Sequence, residues 1–328
     1  MRLDHRIVWL LRALLAILIV GLLIGAIGWA DFELALSQAN WHWLAAVYVT
    51  AATTILVNAS LLRFLLTTGG LSIRLRRVLL AKSLGTFYAL ILPGELVAGV
   101  AKWADLSAAT GDRTKVLSAM VLTKVALAIP PLLTGSVALL ANNPLPTNSL
   151  TVAAAATAFV VISTTALLLN PATGQRLNDA MVSILRYGPG FLRLPGERLV
   201  SSLASFRKMR WTEYFVVLCL SFAVFGLNIL GMAFAATAAG VSVPVTALFW
   251  INLILFITRL LPVTIGNLGI REGVLVLTFG LYGIGAAPAV LVGLLMFSSV
   301  LFVGFLGGIY QLAIASGWVA WRIREEDR

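Results

Sequence analysis

The chain alternates long apolar runs with short polar or basic stretches. Six runs are continuous enough to predict full membrane helices: Val8 to Trp29, Trp43 to Leu66, Val116 to Leu140, Leu150 to Leu169, Tyr214 to Ala238 and Ala286 to Ala315. At about 1.5 Å per helical residue, each can cross roughly 30 Å of hydrocarbon. Two further regions, Val78 to Ala101 and Val245 to Ile284, are apolar but interrupted, the first at Pro93-Gly94 and the second over Pro262 to Gly273. Proline removes a backbone donor and glycine favours turns, so both regions are expected to be re-entrant hairpins of broken helix. Continuous apolar runs, unlike alternating segments, exclude an outer-membrane barrel. The pattern predicts an all-α polytopic membrane protein with six full transmembrane helices plus two re-entrant broken-helix hairpins.

Basic residues orient this layout, because Lys and Arg concentrate in short cytoplasmic loops. Arg2 and Arg6, the stretches Arg63 to Lys82, Lys102 to Lys115 and Asn170 to Thr212, and Arg322, Arg324 and Arg328 all fall on one side. The opposite loops, Ala30 to His42, Ala141 to Ser149, Ala239 to Pro244 and Gly283 to Gly285, contain no Lys or Arg. The expectation is a multi-pass protein of the cytoplasmic (inner) membrane with both termini cytoplasmic. The second half then repeats the first upside down, with repeat 1 over residues 1–140, repeat 2 over 150–317 and a cytoplasmic basic loop over 170–212. Leu92-Pro93 precedes Lys102 by the same offset that Leu261-Pro262 precedes Arg271, with glycines between in each case. Inverted repeats with paired broken helices mark substrate sites near the midplane of transporters.

Composition agrees: of 328 residues 60% are hydrophobic and 11% charged, and the mean hydropathy of +0.99 is far above that of soluble domains. The net charge of +11 would suggest nucleic acid in a soluble protein. Here the basic residues flank membrane helices and serve orientation and anionic headgroups, so no nucleic-acid partner is expected. Cys219 has no partner cysteine, and His5 and His42 are far apart, so neither metal nor cofactor is expected. The first run follows a basic start but is too long for a signal-peptide core and lacks a cleavage pattern, which predicts a retained helix. Trp29, Trp41, Trp43, Trp211, Trp318 and Trp321 fall at predicted membrane boundaries as an aromatic belt does. Gly21 with Gly25, and Gly304 with Gly308, have the spacing of close helix packing. Within the basic loop, Leu199, Val200, Leu203 and Phe206 at helical spacing fit either an interfacial amphipathic helix or an ordinary connecting loop.

The chemistry resides in the few charges inside apolar territory. These are Glu95 and Lys102 in the first broken region, Lys124 in the third full span, and Arg259, Arg271 and Glu272 in the second broken region. A charge at the bilayer centre costs roughly 3 kcal/mol on insertion scales, so such residues usually face a bundle interior or a watery cavity. Guanidinium holds phosphate by two parallel hydrogen bonds, ammonium adds a point charge, and helix N-termini at glycine breaks add amide donors, so an anionic headgroup suits the set. Glu95 and Glu272 could bind a cationic headgroup portion, counter the basic residues, or titrate in proton coupling. A purely structural role, with Arg271 paired to Glu95 or Glu272, is the competing reading. Lys124 lies nine residues beyond Lys115, only about 13 Å along a helix, within snorkelling reach of the interface. There is no G-x-x-x-x-G-K-[ST], G-x-S-x-G or H-E-x-x-H, so transport would be passive, ion-coupled or partner-driven.

Two stretches resemble a known family: LILPGELVAGVAKWADLSAATGDRTKV, ending at Val116, and LLPVTIGNLGIREGVLV, Leu260 to Val276. They are similar to the lysylphosphatidylglycerol synthase transmembrane region, the flippase-like domain of the bacterial multiple peptide resistance factor and of many stand-alone proteins. Pro93, Gly94, Gly99 and Lys102 match the first motif, and Pro262, Gly266, Gly269, Arg271 and Glu272 match the second. Lys102 stands where arginine is more usual, and Asn267 where glycine is. The resemblance implies lipid handling without synthesis, because the chain ends at Arg328 and the fused proteins carry aminoacyl transfer in a separate soluble domain. The expected function is translocation of an anionic phospholipid or lipid-linked intermediate between leaflets, with Arg271 and Lys102 on the headgroup and no enzymatic activity. The alternatives are a membrane-embedded transferase using Glu95 or Glu272 as general base, and a scaffold whose basic segment Arg176 to Arg210 docks a partner lipid or glycan enzyme.

Overall fold

The computed structural model describes residues 29–91, 95–141, 209–259 and 267–315, with single helical positions at 152, 155, 156, 159 and 163. Val8 to Gly28 of the expected first helix, the rest of the Leu150 to Leu169 span and most of the basic loop lie outside the described residues, as does the tail after Ala315. Among the described residues every regular element is helical. They are α1 (Trp29–Ser37), α2 (His42–Thr68), α3 (Leu75–Ile91), α4 (Glu95–Thr110), α5 (Arg113–Ala141), α6 (Trp211–Ala238), α7 (Val245–Arg259), α8 (Ile270–Gly280) and α9 (Ala286–Ala315).

Four of these helices, α2, α5, α6 and α9, are long and apolar enough to cross a membrane. Their outer faces are apolar too: Phe305 and Leu312 on α9, Phe215 on α6 and Val137 on α5 are exposed, which fits lipid contact and not water. The second interrupted region divides into α7 and α8, as its glycines and prolines predict, whereas the first is described as α3 and α4 with Leu92, Pro93 and Gly94 between them outside the described residues. The stretch Ala30 to His42, expected to be a loop, instead contains α1. Its sequence WADFELALS is rich in the helix formers Ala, Leu and Glu, and at 9 residues it is shorter than the stretch over which an apolar period can be read.

The chain forms two compact units, each discontinuous in sequence: Met1–Ile55 with Leu79–Lys102 and Leu227–Arg328, and Leu56–Val78 with Trp103–Gly226. In the first, the start of α2 runs along the end of α6. The Asn40 N–H donates to the Ala238 carbonyl at 2.7 Å, and Trp43 stacks on Phe234 with ring centroids 5.4 Å apart. Tyr48 joins α2 to α9 by donating its hydroxyl to Ser298 Oγ at 3.2 Å and by packing against Phe302. α9 also meets α3 at Gly304, Gly307 and Gly308. A methyl on Gly307 would lie 2.0 Å from the Ser83 carbonyl oxygen, so this is contact of backbone with backbone that only glycine allows.

The second unit is organised by polar ties at helix ends. Arg77 of α3 donates from Nη2 to Asp105 Oδ1 of α4 at 2.7 Å, and the Trp103 indole donates to the Arg113 carbonyl at 2.9 Å. Asp112 caps α5 by accepting from the Thr114 and Lys115 amides.

Candidate functional site

The second broken region folds back on itself as an antiparallel hairpin of α7 and α8. At one end the Trp250 indole donates to the Tyr282 hydroxyl at 3.1 Å. At the other the Asn267 side-chain amide approaches Thr258 Oγ1 at 3.4 Å. The middle of α7 is buried, with Ala247, Leu248, Trp250, Ile251, Asn252, Leu253 and Leu255 enclosed, while Val245 and Ile257 near its ends are exposed. A helix with that pattern belongs inside a bundle.

Two backbone positions start α8. Asn267 has φ +61° and Gly269 φ +85°. Both angles lie in the left-handed region, which glycine adopts freely and asparagine tolerates better than other side chains. This accounts for Asn267 as a workable replacement for a motif glycine.

From there α8 buries one face, made of Arg271, Glu272, Leu275, Thr278 and Phe279, while Leu277 is exposed. Arg271 is 4% exposed and Glu272 0%. Glu272 Oε2 accepts from the Gly269 amide, half of a capping box that holds the first turn of α8. Its other oxygen, Oε1, is buried and accepts no hydrogen bond. The side chain lies against Gly293 of α9, where a methyl would come within 2.8 Å of Cγ and Oε1. One turn further along α9, the Phe297 ring lies under the Arg271 guanidinium, Cζ 5.9 Å from the ring centroid. Arg259 repels Arg271 and Glu272 attracts it. The hairpin therefore brings two guanidinium groups and one carboxylate together, with the Gly269 amide already donating to the carboxylate.

The structure thus brings Arg259, Gly269, Arg271 and Glu272 into one hairpin, with Arg259 the half-buried last residue of α7. Lys102 is half-buried on α4, and Gly99 sits on the same helix with open space around it. Lys124 is exposed on α5, in the second unit. Glu95 opens α4; its side chain, and Pro93, Gly94, Pro262 and Gly266, lie outside the described residues. Gly293 and Phe297 were not singled out from sequence, because both sit in an apolar run with nothing local to mark them. Among the described residues no group of three or more His, Cys, Asp or Glu could hold a metal ion, and Cys219 is exposed.

No curated protein and no solved structure matches the chain. The family model of the lysylphosphatidylglycerol synthase transmembrane region matches residues 9–308, a range that contains both interrupted regions, the long apolar helices α2, α5 and α6 whole, and α9 as far as Gly308. This integral membrane protein belongs to the lysylphosphatidylglycerol synthase transmembrane-region family.

Proposed function

We propose that the protein translocates an anionic phospholipid or lipid-linked intermediate between leaflets of the cytoplasmic membrane, with Arg271 and Lys102 engaging the headgroup, and that it is a transporter, not an enzyme. The observation that carries this reading is the burial of Arg271, at 4% exposure, on a short broken helix among apolar elements. Desolvating such a charge costs several kcal/mol, a penalty usually kept for function. The family name, which concerns a membrane region associated with a phospholipid, supports the substrate class.

The same reading has six full helices and two re-entrant hairpins arranged as an inverted repeat, with the termini cytoplasmic. Helix lengths support it: α7 has 15 residues and α8 has 11, about 22 and 16 Å at ~1.5 Å per residue. Both fall short of roughly 30 Å of hydrocarbon. Their antiparallel contacts let the chain leave by the side it came from. Burial of the middle of α7, from Ala247 to Leu255, supports the protein surroundings that a backbone break at depth requires.

Lipid transfer between leaflets of proteoliposomes tests the proposal. Arg271→Ala and Lys102→Ala are expected to slow transfer of an anionic phospholipid at least tenfold while leaving the chain folded. Unchanged transfer in both variants would refute it.

A further inference from the structure

We propose that Asn252 of α7 is a binding residue for the headgroup phosphate, donating its side-chain amide to a phosphate oxygen as the lipid passes the middle of the helix. This rests on the reading of the chain as a transporter of an anionic lipid. Within Val245–Arg259, Asn252 is the one polar side chain between Trp250 and Thr258. It is 4% exposed, and its Nδ2 is buried without a hydrogen-bond acceptor. A buried donor left unmet costs stability, and an apolar side chain of similar shape would remove that cost. Such groups are rare in native structures, and a part in function is one reason they persist.

Position gives the amide its task. Asn252 and Arg259 are seven residues apart, two turns and about 10 Å along one side of α7. α8 lies against a different side, where Trp250 and Thr258 meet Tyr282 and Asn267. The side of α7 turned away from those contacts therefore carries a guanidinium at its end and an amide donor halfway along, with apolar residues between. An ionised phosphate oxygen makes a stronger hydrogen bond to an N–H than a neutral acceptor does, the more so in surroundings of low dielectric. The amide brings no charge of its own, so it holds a phosphate in passing without trapping it, as a station on a pathway must. A further arginine at this depth would add a desolvation penalty that the neutral amide avoids.

The test measures transfer of phosphatidylglycerol between leaflets of proteoliposomes holding the full-length chain, with folding followed by thermal midpoint. Asn252→Leu keeps the size of the side chain and removes the donor. It is expected to slow transfer about 10- to 100-fold, the range for a hydrogen bond to a charged group, with a thermal midpoint no lower than that of the wild type. Asn252→Ser, which keeps a donor on a shorter arm, is expected to be faster than Asn252→Leu. Should Asn252→Leu lower the midpoint, Asn252→Ala, which adds no bulk, replaces it as the variant without a donor. An Arg271→Ala control separates the two levels. If Arg271→Ala is slow while the variant without a donor keeps the wild-type rate, or if Asn252→Ser is no faster than that variant, the role given to Asn252 is overturned and the headgroup role of Arg271 stands. If Arg271→Ala and the variant without a donor both keep the wild-type rate, both are overturned.

Discussion

Glu272 of α8 lies against Gly293 of α9 so closely that a methyl on the glycine would meet its Cγ and Oε1 at 2.8 Å. The contact joins a buried carboxylate to a helix that could have been read as featureless membrane span. Gly293→Ala should therefore destabilise the protein by about 1–3 kcal/mol, the usual cost of overpacking. Thermal unfolding in detergent measures it. Glu272→Ala combined with Gly293→Ala should recover part of the loss, because the shorter side chain vacates the space.

Glu272 has a capping role distinct from any contact with substrate. Glu272→Gln can still accept the Gly269 amide through its side-chain carbonyl but removes the charge that attracts the buried Arg271, so it should lose some stability, and less than Glu272→Ala. Glu272→Ala loses the cap, worth about 0.5–2 kcal/mol, and leaves a cavity besides. If both variants lose the same stability, the cap is not what Glu272 supplies.

At the crossing of α3 and α9, Gly307 faces the Ser83 backbone, whereas Gly304 and Gly308 face the flexible side chain of Leu90 and the ring of Phe87. Side chains can rotate away and backbone cannot. Gly307→Ala should be the most damaging of the three alanine substitutions, exceeding the others by more than about 1 kcal/mol on the overpacking scale. Equal midpoints for the three variants would contradict the backbone contact.

In the second unit the Asp105 carboxyl sits beyond the first broken region, outside the membrane-crossing helices. Burial pushes it above its ordinary value of 3.8, with Arg77 pulling the other way and losing. Between that value and the raised one the folded chain binds more protons at this site than the unfolded chain. The contribution of Asp105 is thus full below about 3.8 and declines as pH rises through the raised value. Stability measured against pH should show this decline in the wild type, and Asp105→Asn should flatten it. An identical slope in both would exclude Asp105 as its source.

Much of the architecture was legible from apolar runs alone. α9 runs over the predicted Ala286 to Ala315, and α6 ends at the predicted Ala238, because a membrane helix declares itself by length and unbroken hydropathy. The break between α7 and α8 was legible because proline and glycine act locally. α1 was not, since its 9 residues are too few for an apolar period to show. For the candidate site, Arg271 and Glu272 stood out as charges in apolar sequence, and their burial follows from their place on the inner face of α8. Gly293 and Phe297 did not, because their meaning depends on which helix packs opposite them, a relation that no local spacing encodes.

The most direct test of the central claim is mass spectrometry of the lipids that co-purify with the wild type and with Arg271→Ala, each compared with the membrane of origin. The account predicts enrichment of one anionic or lipid-linked species in the wild type and its loss in the variant. Equal and unselective lipid in both would contradict it and make Arg271 a structural residue.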